Sequence, residues 1–166
     1  MRLKLPIIIT LSIVMLGLLV LQTTGRSTIL DSANLIFHEA GHMILGIFGI
    51  QFNAFIGGTL MQLFPPISTT IYFYQRHDIT AATCTFFWLG QNLHNIGNYM
   101  ADANVQILPL LGGGMHDWNY IFSILHILPL AEEIGFLTQA LGVIIMIAAP
   151  IMLFVLYRKQ TLEAAT

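Results

Sequence analysis

The stretch LIFHEAGHM, residues 35–43, sets two histidines and a glutamate inside a run that is otherwise apolar. On a helix His38 and His42 are one turn apart and project from one face. Glu39 follows His38 directly. On the surface of a soluble protein such a pattern arises by chance at little cost. Inside a membrane-spanning helix an acidic residue costs about 2.5–3.5 kcal/mol, and ionisable groups there usually have work to do. The solvent around residues 35–43 therefore decides both fold and function. The bland alternative is a hydrogen-bonded polar cluster that holds no metal.

The rest of the chain points to lipid. Its 166 residues make one domain by length. Hydrophobic residues are 56% and charged residues 8%, against about 25% charged in soluble domains. The net charge of −2 says nothing about nucleic acid, but no basic stripe is there to hold phosphates, and no nucleic-acid partner is expected. Cys84 has no partner for an internal disulfide and forms no cysteine zinc site. Residues 5–22, LPIIITLSIVMLGLLVLQ, read as a retained membrane anchor, since the run is long and TTGRST after it lacks a small-x-small cleavage site.

Five further segments follow, at 33–50, 59–74, 79–100, 118–130 and 134–157, the third of these long enough to cross and the fourth short enough for a half-span. Their apolar runs are continuous rather than alternating, which predicts helices and not barrel strands. The expected fold is an all-α, polytopic transmembrane helical bundle with about six membrane segments, forming a single integral membrane domain over 1–166. Arg2, Lys4, Arg158 and Lys159 at the two ends put both termini in the cytoplasm. Four crossings plus two re-entrant pieces fit the same charges. FNAFIGGTL, residues 52–60, reads either as a re-entrant Gly-rich strand or loop after the second segment, or as a plain glycine turn. Pro65 and Pro66 are expected to break the segment that follows.

Two imidazoles at this spacing can meet one metal ion at about 2.0–2.1 Å. Glu39 is then placed to take a proton from water rather than to bind the ion. Upstream, Asp31 or Ser32 is expected to cap the helix. Zinc needs a third protein ligand and one open position. LPLLGGGMHDW, residues 108–118, offers His116 and Asp117, the latter also a candidate N-cap for the helix from Trp118. His94 and Glu132 or Glu133 are further options, although a loop at the membrane surface accounts for the two glutamates. In WLGQNLHNIGNYMAD, residues 88–102, Gln91, Asn95, Asn98 and Asp102 share a face beside His94. They read as a hydrated cavity wall or as interhelical hydrogen bonds. His126 reads as a core histidine on an apolar helix, and His77 as part of an exposed loop.

These residues resemble the site-2 protease family of intramembrane zinc metalloproteases. The resemblance lies in His38-Glu39-Ala40-Gly41-His42 within an apolar segment and in NVQILPLLGGGMHDW, with Asn104, Pro109 and Asp117. FIGGTL matches the family's Gly-rich membrane-embedded hairpin. Trp118 stands where the family has glycine, and the Asn-to-Pro spacing is looser. The resemblance implies one Zn2+ per chain held by His38, His42 and Asp117, between segments 33–50 and 116–130. It implies Glu39 as the base, and hydrolysis of a peptide bond in or near a transmembrane segment of a membrane protein substrate. His94, Asn95, Asn98, His116 and Asn104 would support the ligands or wall the cavity, and the lipid bilayer is the other partner. A non-catalytic metal-binding membrane protein or adaptor is the alternative. A membrane histidine-box di-iron oxygenase fits less well, because only His38 and His42 of six histidines form a box.

Overall fold

A computed structural model describes residues 4–110 and 114–163, and within these the side chains of 51–54 and Glu163 are left aside. Arg2 and the first two glycines of the 112–114 run lie outside the described residues. Every described element is helical, as the continuous apolar runs predict.

Local chemistry sets the helix ends. Helix α1 (Leu5–Thr23) starts with Pro6 in its first turn, where the missing N–H has no intrahelical partner to lose. Helix α2 (Ile29–Gly46) begins earlier than expected. Its N-cap is Thr28, not Asp31 or Ser32, because the Asp31 carboxylate reaches back to the Thr28 N–H and hydroxyl. Gly49, at φ 70°, turns the chain into α3. Helix α4 (Ile79–Ala101) is capped by Asp78, which accepts the Ala81 N–H at 3.1 Å. Helix α5 (Asp117–Ile124) is followed by the 3-10 turn Leu128–Leu130 and by α6 (Ala131–Glu163).

Helix α3 (Gln51–Gln75) corrects two expectations. The glycine-rich stretch is neither a re-entrant strand or loop nor a turn, since Gly57 and Gly58 lie inside the helix. A helix satisfies its backbone groups internally, whereas an isolated strand needs a partner strand. The glycines serve packing instead: Gly57 lies against Gly41 of α2, so close that a Cβ on it would meet the Gly41 carbonyl at 2.6 Å. Pro65 and Pro66 do not break α3 either. The Thr69 and Thr70 hydroxyls donate to their carbonyls, each at 2.6 Å.

Among the described residues, two stretches, Leu5–Thr23 and Leu128–Leu162, are long and apolar enough to cross a membrane. Helix α1 buries only Ile8, Met15 and Gln22, a stripe of period seven, and turns Ile13 and Val20 outward. The expected segment 118–130 is short, as its half-span reading requires. Its helix has eight residues, about 12 Å against a hydrocarbon core of about 30 Å. His126 ends it in the left-handed region at φ 56° and is exposed, so it is not a core histidine.

Helices α4 and α6 run antiparallel with backbones in contact. Gly90 faces Gly142 and Gly97 faces Gly135, and a Cβ at any of the four would come within 2.9 Å of the opposite helix. Small residues of this kind let apolar helices approach closely. Ile8 and Met15 of α1 close one core with Phe87, Met146, Ala149 and Leu153. A second core, of Ile96, Trp118, Ile121, Phe122 and Ala131, fixes α5 against the bundle and so fixes the position of Asp117.

Candidate metal centre

His38 and His42 project from one face of α2, with ring centroids 4.7 Å apart. Asp117, the first residue of α5, comes to them from 79 residues away in sequence. Its Oδ2 lies 2.8 Å from His38 Nε2 and 3.2 Å from His42 Nε2. The three donor atoms fall within 4.8 Å of one another, and the group could hold a metal ion. Donors in a tetrahedral zinc shell sit about 3.3 Å apart, against 2.8 and 3.2 Å for the two histidine–Asp117 pairs. His38 and Asp117 are buried.

The surroundings fit an ion. His38 Nδ1 faces Gln62 Oε1 at 3.2 Å while Nε2 faces Asp117. A neutral imidazole has one proton for these two acceptors, so a second proton or a cation has to lie beside it. Gly58 makes room for the cation: a Cβ there would lie 2.7 Å from His38 Nε2 and 2.8 Å from His42 Nε2. Asp117 is held from behind by its N–H, which donates to the Tyr99 hydroxyl at 3.2 Å. Tyr99 lies between His38 and His116, its ring 4.1 Å from the latter.

A cavity of about 540 Å³ touches this group at His38 and is lined also by Glu39, Gln62, His94, Asn95 and Asn98. Glu39 is partly buried on its wall. No protein-family model, curated protein or solved structure matches the chain. The chemistry of the site is therefore read from its own geometry.

The other predicted residues divide. His94, Asn95 and Asn98 line the cavity, and His94 stands outside the donor group. His116 rather than Asp117 is the N-cap of α5, its Nδ1 accepting the Asn119 N–H at 3.2 Å. A buried residue, it holds its Nε2 3.5 Å from Asp102, away from the metal group. Asn104 does not wall the cavity; it donates to the Leu128 carbonyl at 3.0 Å and ties the α4 end to the 3-10 turn. Asp102 accepts the Ile107 and Leu108 N–H groups and shapes that loop. Glu132 and Glu133 are exposed in the first turn of α6. Sequence reasoning missed Gln62, Gly58 and Tyr99. Gln62 carried a usable signal, a lone amide in the apolar run LMQLF.

Proposed function

We propose that the protein is an intramembrane zinc metalloprotease that hydrolyses a peptide bond in or near a transmembrane segment of a membrane protein. The observation that carries this reading is the convergence of His38, His42 and Asp117 beneath an apolar exterior, with Glu39 on the wall of an adjoining cavity. The chain crosses the bilayer several times in this reading, with both termini cytoplasmic. Support comes from the antiparallel glycine-mediated packing of α4 with α6, the outward apolar residues, and the basic residues near both ends.

His38 and His42 offer nitrogen donors and Asp117 an oxygen donor, the mixed set that zinc takes in hydrolases. Zinc held there by His38, His42 and Asp117 would supply a Lewis acid for the scissile carbonyl and would bring the pKa of a water toward about 7. Glu39 accepts the proton of the attacking water and passes it to the leaving nitrogen. Asn98 and His94 offer donors along the cavity for the substrate carbonyls. The substrate helix unwinds locally to enter, because helical amides are already hydrogen-bonded and shielded.

The test is a paired one. Wild type and Glu39→Gln are purified in detergent, bound metal is measured, and cleavage of membrane-helix substrates is followed. The reading expects equal zinc in both, with activity falling by about 10²–10⁴-fold in the variant. Zinc in a wild type that cleaves no membrane helix would favour the metal-binding adaptor.

A further inference from the structure

We propose that Asp31, acting through Asn95 and Gln62, dictates which nitrogen of His38 carries its proton and so keeps Nε2 free to bind metal. The proposal rests on His38 being a ligand and names what makes it one.

The Asp31 carboxylate is ringed by donors. Its Oδ1 accepts from Gln91 Nε2 at 2.7 Å, Gln22 Nε2 at 3.1 Å and Asn95 Nδ2 at 3.2 Å. Its Oδ2 accepts from the Thr28 N–H and, at 2.8 Å, from the Thr28 hydroxyl. An ionised carboxylate only accepts. Asn95 therefore has to turn its NH2 toward Asp31 and its Oδ1 the other way. That oxygen takes Gln62 Nε2 at 3.1 Å. Gln62 in turn has to present Oε1 to His38 Nδ1, at 3.2 Å. An amide oxygen also only accepts, so the proton of His38 sits on Nδ1. The Nε2 lone pair then points at Asp117 and His42.

A second one-way group sets the same polarity from the far end. The Trp88 indole can only donate, and it donates to Asn34 Oδ1 at 2.8 Å. Asn34 then gives its NH2 to Gln91 Oε1 at 2.6 Å, which turns the Gln91 NH2 onto Asp31. The chain runs through α1, α2, α3 and α4, and Asn34 and Gln91 are fully buried within it. No amide in it can flip without facing donor to donor or acceptor to acceptor. A Gln62 freed to flip would offer its NH2 to Nδ1, move the imidazole proton to Nε2 and close the site to metal. Asp31, Asn95 and Gln62 are thus positioning residues that act through His38.

The test reads zinc affinity and ring protonation. Asn95→Leu removes the link and one donor to Asp31 Oδ1, and leaves the Thr28 bonds to Asp31 Oδ2 that cap α2. It should weaken zinc binding 10–100-fold, the range for loss of a partner that orients a ligand. Adding Gln62→Glu should restore affinity to near wild type, because a carboxylate at 62 accepts from Nδ1–H without being oriented by Asn95. A general packing defect would not be rescued this way. Nitrogen-15 NMR of the zinc-loaded wild type gives a readout that needs no variant: His38 should carry its proton on Nδ1 with Nε2 coordinated. Wild-type affinity in Asn95→Leu, a double variant as weak as the single, or a His38 coordinated through Nδ1 each overturns the relay alone. A wild type that binds no zinc overturns the metal reading and the relay with it.

Discussion

Gly58→Ala isolates the metal site from the fold. A Cβ at this position lies 2.7 Å from His38 Nε2 and 2.8 Å from His42 Nε2. Ordinary contact needs about 3.5 Å, so one or both imidazoles have to retreat by about 0.7 Å. Metal–nitrogen distances tolerate about 0.2 Å. At least one histidine therefore leaves the coordination set, and zinc affinity should fall more than about 100-fold, or about 2.8 kcal/mol. The helix itself should not suffer, since alanine favours a helix interior over glycine by about 1 kcal/mol. The assay is a competition titration with a chromophoric chelator in detergent, with far-UV circular dichroism as the fold control. Unchanged helicity with lost affinity is the expected pair. A Gly58→Ala protein that binds zinc as the wild type does would refute the placement of the ion between His38, His42 and Asp117.

Asp117→Ala takes away the oxygen donor, and zinc affinity should drop by more than about 100-fold, beyond what losing a supporting partner does; undiminished zinc content by elemental analysis would remove Asp117 as a ligand. Zinc at 100 times its dissociation constant should stabilise the fold by about 2.7 kcal/mol, seen as a higher melting temperature that EDTA reverses and that is absent in His42→Ala. Gly97→Leu should lower the melting temperature in detergent, because a Cβ there already meets the Gly135 carbonyl and Gln139 nitrogen at 2.6 Å; overpacking of this kind costs about 1–3 kcal/mol, and an unchanged melting curve would contradict the close α4–α6 contact.

The helices were legible because an apolar run of 18 or more residues leaves the backbone little choice. The run at 5–22 became Leu5–Thr23, and the segment at 79–100, despite its polar cluster of Gln91, Asn95 and Asn98, became Ile79–Ala101. What failed was punctuation. Gly57-Gly58 reads as a turn until Gly41, sixteen residues earlier, is seen pressed against it. Pro65-Pro66 reads as a break until the helix is seen to continue through both. The stretch 118–130 reads as one segment because nothing in its hydropathy announces the left-handed His126.

The candidate site was legible where local spacing carries it. His38 and His42 share a face on any helix, and Asp117 stands out after a glycine run. Gln62, Gly58 and Tyr99 belong to the site only through the way α3 and α4 pack on α2, which one sequence does not contain. The role of Asp31 was half-visible. Its place at the start of α2 suggests a cap, but its three amide donors come from α1 and α4.

X-ray absorption at the zinc edge, on protein purified in detergent, tests the central claim most directly. One zinc per chain is expected, with two imidazole nitrogens and one carboxylate oxygen at about 2.0–2.2 Å, and with the imidazole signature lost in His38→Ala. A protein free of tightly bound metal, or zinc with ligands unaffected by His38→Ala, would contradict it.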